Sequence, residues 1–149
     1  MKNEVRIIGG QWKRSKLPVA DRPGLRPTPD RVRETLFNWL GQDLTGWRCL
    51  DAFAGSGALG FEAASRGADA VVLLERDRRI AALLGEAKQR LKAEALRVEN
   101  TDALSWMVRC APAAFELVFI DPPFDSELLV PALDEIGRAS CRERVYSSV

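Results

Sequence analysis

The chain has no histidine. Histidine-based triads and histidine metal ligands are therefore excluded, and what remains is chemistry that needs little acid–base help. Its 3 cysteines, Cys49, Cys110 and Cys141, are odd in number and unclustered. That spacing suits neither a disulfide framework nor a metal site. Cys49 and Cys110 read instead as buried thiols of a cytoplasmic protein. Long apolar runs are missing, as is a charged-then-apolar leader, so neither a membrane span nor an export signal is expected. Net charge is nearly absent too, at +1. The 149 residues allow one domain with a substantial core.

That small net charge hides an asymmetry. Residues 1–33 carry a net +6, residues 34–136 a net −7 and residues 137–149 a net +2. A basic head on an acidic body points to an arm that meets phosphates. Within the head, Val5–Ile8, Gly9, Gly10 and Trp12 are expected to form a hairpin turning at the glycines. Lys13, Arg14 and Lys16 flank Trp12, mixing ring and charge as nucleic-acid surfaces do. Thr28 is expected to cap a helix with Pro29 in its first position, Asp30 at its positive end and Gly41 after its last turn. Val32, Leu36, Trp39 and Leu40 fall at helical spacing and are predicted to be buried. Arg31 and Arg33 project elsewhere, toward phosphate or Glu34.

The body alternates strand and helix. Strands are predicted at 48–53, 70–75, 96–99 and 115–121, with helices at 57–66, 78–92 and 103–109. Such alternation implies right-handed crossovers and a parallel, doubly wound α/β sheet of the Rossmann type, with ligands at the carboxyl ends of its strands. Asp51, Glu75 and Asp121 each stand at such an end. Gly55, Gly57 and Gly60 match G-x-G-x-x-G, and a helix start there would offer free N–H groups, so a dinucleotide site must be weighed. Asp51 argues against it, because a pyrophosphate before that acid would be repelled and an ammonium attracted. Glu75 can accept both hydroxyls of a ribose. An amine-bearing nucleoside fits this pattern better than a nicotinamide dinucleotide.

The run Phe115–Ile120 ends in Asp121-Pro122-Pro123-Phe124. Two prolines stop the strand and stiffen the rim beyond it. One carboxylate, carbonyls released from the ladder and one ring suit a planar amine, with the base stacked on Phe124 and its NH₂ donating to Asp121 and the Pro122 carbonyl.

Taken together, Asp51 to Gly60, Glu75 and Asp121 to Phe124 resemble the cofactor site and amino-methylating motif of class I methyltransferases. Arg6-Ile7-Ile8-Gly9-Gly10, Arg26-Pro27-Thr28 and Arg31 to Asn38 resemble the head of the RsmD family, bacterial enzymes that methylate N2 of a guanine in 16S ribosomal RNA. The resemblance implies S-adenosyl-L-methionine as cofactor, held by Asp51, Phe53, Ala54, Gly55, Ser56, Gly57, Gly60, Glu75, Arg76, Asp102 and Ala103. Asp102 would face the adenine amine, although it also reads as a helix cap before Ala103. Asp121, Pro122, Pro123 and Phe124 would carry catalysis. Arg6, Trp12, Lys13, Arg14, Lys16, Arg26, Arg31 and Arg33 would meet RNA. Ribosomal RNA or the small subunit is the implied partner of a cytoplasmic monomer that needs no metal or membrane. An adenine-N6 or protein-amine methyltransferase and a nicotinamide-dependent oxidoreductase stay open as alternatives.

Three regions are expected: a head at 1–46, a cofactor-binding core at 47–136 and a tail at 137–149. A helix is predicted at 126–136. The tail has no periodicity and resembles the translation of a sequencing adapter, whereas family members continue with three more strands. The native C-terminal part is therefore expected to be missing, leaving a sheet of about four strands with 115–121 at an exposed edge.

Overall fold

In the computed structural model the described residues are 4–20, 28–110, 114–121 and 145–147. Two short strands, β1 (Glu4–Arg6) and β2 (Lys16–Pro18), pair antiparallel. After them come α1 (Asp30–Leu40), β3 (Arg48–Asp51), α2 (Ala58–Ser65), β4 (Ala70–Glu75), α3 (Arg78–Leu91), β5 (Leu96–Asn100), α4 (Ala103–Arg109), β6 (Leu117–Ile120) and β7 (Val145–Ser147).

Strands β3 to β7 form one sheet in the order β5-β4-β3-β6-β7, parallel throughout. This is the doubly wound Rossmann-like α/β fold expected from the alternation. Its interior strands are apolar on both faces, with all four residues of β6 buried, as a sheet covered on both sides requires. The sheet has five strands rather than about four, because Val145–Ser147 pairs with Val118–Ile120. Strand β6 is therefore not the edge expected of it. Three residues are too few to show a hydrophobic period, which is why the sequence pattern misses β7. The helix predicted at 126–136, and Cys141, lie outside the described residues.

Reversal of strand order places β4 and β5 on one side of β3 and β6 on the other. The crevice between the carboxyl ends of β3 and β6 is the topological switch point, where such sheets bind ligands. Helix α2, which follows β3, is buried along its whole length. The head covers it. Val5, Ile7, Leu17, Leu36 and Phe37 share one apolar cluster with Phe61, Val71, Leu73 and Phe119.

The hairpin is longer than expected. Its glycines do not form a two-residue turn but dock on the end of α2. Gly10 has φ +79°, and a Cβ there would lie 2.0 Å from the Ser65 carbonyl oxygen, so only glycine fits. Ser65 Oγ donates to the Gly9 carbonyl at 2.6 Å, and Gln11 N–H donates to the Ser65 carbonyl at 2.8 Å.

One buried carboxylate holds the two parts in register. Glu62 Oε1 accepts from Ile8 N–H at 2.9 Å and from the Arg33 guanidinium at 3.2 Å. Its Oε2 accepts from Gly9 N–H at 2.9 Å and Arg66 Nε at 3.0 Å. Arg66 also lies over the Phe37 ring, 4.9 Å from its centroid. This pairing sets the face of α1. Arg33, Leu36 and Phe37 point inward, while Val32 is 39% and Trp39 82% exposed. The apolar spacing had placed Val32 and Trp39 in the core, but the long-range pair turns the helix the other way.

Removing one partner of a buried pair leaves an uncompensated charge, at a cost of about 3–5 kcal/mol. Glu62→Ala is expected to lower the unfolding free energy by that amount in urea titration. Arg48→Ala, which breaks the half-exposed Arg48–Glu116 pair, is expected to cost no more than about 1 kcal/mol.

Candidate functional site

Four polar residues meet at the carboxyl ends of the strands. Asp51 closes β3, Glu75 closes β4, Asn100 closes β5 and Asp121 follows β6. The parallel register sets Asp51 opposite Phe119, two residues before Asp121. Ala52 N–H donates to the Phe119 carbonyl and Ala54 N–H to the Leu74 carbonyl, at 3.1 and 2.9 Å. These bonds draw the loop between β3 and α2 over the sheet rim.

Asp51 is 1% exposed. Its Oδ2 accepts from Gly60 N–H at 3.1 Å. Its Oδ1 is enclosed and accepts no hydrogen bond among the described residues. Burial, with the Asp121 carboxylate second, pushes the Asp51 carboxyl up from 3.8 to about 7. Gly60 and Phe53 N–H groups and the Glu75 carboxylate make smaller contributions, the first two opposing the rise. Gly60 itself packs on β4, where a Cβ would meet Leu73 Cδ2 at 2.1 Å. It serves helix–strand contact and donates only its N–H toward the acid.

Glu75 is half-buried and oriented from both sides. Gly55 N–H donates to Oε1 at 2.9 Å and Asp77 N–H to Oε2 at 2.8 Å. Each oxygen keeps a second lone pair for a ligand hydroxyl. Asn100 Nδ2 bridges the carbonyls of Glu75 and exposed Arg76, at 2.9 and 3.0 Å. Nothing in the local sequence pattern signals that bridge. Asp102 caps α4, accepting from Ser105 N–H at 2.9 Å. Ala103 and half-buried Phe53 pack in the apolar cluster of Leu50, Met107 and Ile120.

Several N–H groups at the start of helix α2 are not free, contrary to expectation. Gly55 N–H goes to Glu75, Gly57 N–H to the Ala54 carbonyl, Ala58 N–H to Ser56 Oγ and Gly60 N–H to Asp51. Phosphate-binding loops spend such donors on the anion. Here the chain spends these four on its own acceptors and places carboxylates beside the crevice.

Of the residues expected to meet RNA, Arg6, Lys13, Arg14, Lys16 and Arg31 have exposed side chains. Arg33 does not. It is fully enclosed, donating to Glu62, Asp30 and the carbonyls of Thr28 and Arg6, and so cannot reach phosphate. Trp12 is half-buried against the main core, not a free stacking ring. Arg26, Pro122, Pro123 and Phe124 lie outside the described residues. Thr28 is not the cap of α1. That position falls to Pro29, without a side-chain bond. The Thr28 hydroxyl donates instead to Asp121 Oδ2 at 3.2 Å. Cys49 is buried as expected, and burial pushes its thiol up to about 12. Cys110 is only half-buried.

Because the Asp51 carboxyl titrates higher in the fold than in the unfolded chain, folding retains a proton there. The stability it confers is fully present below about 3.8 and is lost as pH rises through about 7. Between pH 5 and pH 7.5 the wild type is expected to lose about 2–3 kcal/mol relative to Asp51→Asn. Paired denaturant titrations across that range read the difference, and parallel curves would contradict it.

Among the described residues no helix is long and apolar enough to cross a membrane. The family model described as Conserved hypothetical protein 95 matches residues 5–144. Ribosomal RNA small subunit methyltransferase D of Escherichia coli K12 is 52% identical over 126 residues, 85% of this chain and 63% of that protein. The protein of the same name in Haemophilus influenzae is 48% identical over 135 residues, covering 89% and 70%. The solved structure of the Escherichia coli protein yhhF matches with a TM-score of 0.85 and 45% identity, over 97% of this chain and 81% of that one. The chain spans 63% of the length of the Escherichia coli methyltransferase. By family match, identity and fold, the chain belongs to the RsmD family.

Proposed function

We propose that the full-length protein transfers a methyl group from S-adenosyl-L-methionine to the exocyclic N2 amine of a guanine in 16S ribosomal RNA. The observation that carries this reading is the enclosed Oδ1 of Asp51 at the switch point, which accepts no hydrogen bond among the described residues. A buried acceptor without a partner costs free energy that a ligand donor recovers. An ammonium or amine group supplies that donor, and a pyrophosphate does not. The absorbed N–H groups at the start of α2 weigh the same way, against a nicotinamide dinucleotide. Asp51 would hold the cationic amino acid end, Glu75 the ribose hydroxyls, and Asn100 and Asp102 would keep the neighbouring loops in place.

The bound cofactor supplies a methyl group already electrophilic on a sulfonium. What remains for the protein is alignment of the amine with that carbon. Asp121 would accept hydrogen bonds from the guanine NH₂, favouring the pyramidal nitrogen that attacks and stabilising the positive charge that develops on it. The proton then leaves to Asp121 or to water. Pro122 and Phe124 keep their sequence-based roles, a carbonyl acceptor and a stacking ring worth about 1–3 kcal/mol. The target base must be unpaired or flipped out to reach the rim. The names of the relatives support ribosomal RNA as substrate.

Glu75→Ala is expected to weaken S-adenosyl-L-methionine about tenfold or more in calorimetry, the loss of charge-assisted hydrogen bonds. Unchanged affinity would remove the ribose assignment. Asp121→Ala is expected to slow single-turnover methylation of undermethylated small subunits with cofactor affinity intact. Digesting the product to nucleosides distinguishes N2-methylguanine from N6-methyladenine.

Exposed Lys13, Arg14 and Lys16 support an RNA-facing head. Each phosphate that meets a cation releases counterions. Arg14→Glu with Lys16→Glu is therefore expected to weaken RNA binding and to flatten its salt dependence, by nearly one logarithmic unit for each phosphate no longer neutralised. Titrations at several salt concentrations measure the slope, and an unaltered one would make the head a merely solvated surface.

A further inference from the structure

Thr28 stands where the head meets the rim. Its hydroxyl donates to Asp121 Oδ2 at 3.2 Å, across 93 residues of sequence. Its carbonyl accepts from Arg33 Nε at 3.1 Å. Arg33 is itself enclosed and held by Glu62, by Asp30 and by the Arg6 carbonyl. The backbone of Thr28 is thus fixed from behind by a buried ionic network, while its side chain faces the carboxylate that follows β6. The hydroxyl has no capping duty to explain it, since Pro29 occupies the cap position of α1 and no side chain caps the helix. A hydroxyl also fits this neighbour chemically. Asp51 and Asp121 repel across the crevice, and a neutral donor restrains one acid without attracting an anion or neutralising the rim.

An aspartate carboxylate can turn about two side-chain bonds, and its second bond is broad in energy. A hydrogen bond to one oxygen fixes the plane of the group and selects the edge it turns toward the crevice. Misplacement of a reacting partner by a fraction of its contact distance is costly in rate while leaving ground-state binding intact.

We propose that Thr28 is a positioning residue for methyl transfer, its hydroxyl setting the orientation of the Asp121 carboxylate against the target amine. The proposal rests on the reading of Asp121 as the group that meets that amine. It also gives the docking of the head a second consequence. Glu62 holds Arg33, Arg33 holds the Thr28 backbone, and Thr28 holds the catalytic acid.

The test compares Thr28→Val, Thr28→Ser, Asp121→Asn and the Thr28→Val/Asp121→Asn pair in the full-length protein. Methylation of undermethylated small subunits is followed in single turnovers at saturating cofactor and subunit. Thr28→Val, close in shape but without the hydroxyl, is expected to be about tenfold slower, the loss of one hydrogen bond to a charged group. Its cofactor affinity, subunit affinity and melting midpoint are expected to match wild type. Thr28→Ser is expected to restore the rate, and the double variant to be no slower than Asp121→Asn alone. A wild-type rate in Thr28→Val beside a slow Asp121→Asn overturns the positioning role and leaves Asp121 in place. A wild-type rate in Asp121→Asn overturns the reading of Asp121 and this proposal with it. A slow Thr28→Ser, or a fall in melting midpoint with Thr28→Val, assigns Thr28 a structural role only and overturns the proposal as well.

Discussion

Glu62 is the residue on which the arrangement of this molecule turns. It sits in the middle of α2, has no exposed side-chain surface and satisfies both carboxylate oxygens with two guanidinium groups and two backbone N–H groups. A buried ion pair is poor evidence for net stability, since well-packed apolar groups of the same volume often do as well. Its value here is geometric. Apolar contacts between the hairpin, α1 and α2 would tolerate sliding by a fraction of a residue. Four directed bonds to one carboxylate do not. The same group orders the two-residue segment Ile8–Gly9, selects which face of α1 turns inward and anchors Arg66 over Phe37.

The charge asymmetry of the sequence becomes a division of labour in space. Exposed Lys13 and Arg14 belong to the loop that docks beside Ser65, at the far end of α2 from the glycine loop. At 1.5 Å per residue, α2 separates that loop from the rim by about 12 Å. Phosphates and carboxylates would repel one another at the crevice itself. On the proposed reading, cations one helix length away would let a nucleic acid backbone settle on the head while only a neutral base entered the acidic rim. The rim would then keep the negative potential that the proposed sulfonium cofactor and a developing ammonium call for.

Much of this was legible locally. Strand β4 and helix α4 fall where the pattern places them, because β4 is a bounded apolar run and α4 follows the capping residue Asp102. The acids at the ends of β3, β4 and β6 follow from the alternation of elements alone. What escaped the sequence depends on partners far along the chain. Arg33 reads as a free cation until Glu62, 29 residues later, is placed opposite it. Thr28 reads as a helix cap until Asp121 competes for its hydroxyl. The glycine loop reads as a set of free donors until neighbouring acids and carbonyls engage several of them.

That last difference explains how one glycine pattern can serve opposite ligands. A loop of this kind always brings several N–H groups together after a strand, and their field alone favours an anion. The sign of the site is decided by what else lies within reach. In this chain Asp51 takes Gly60 N–H, and Glu75 takes Gly55 N–H. Each bond removes one donor and fixes one carboxylate, so the same pairing weakens the field for an anion and favours a cation. In the proposed reading, the identity of the residues at the ends of β3 and β4, and not the glycine spacing, would therefore carry the ligand preference.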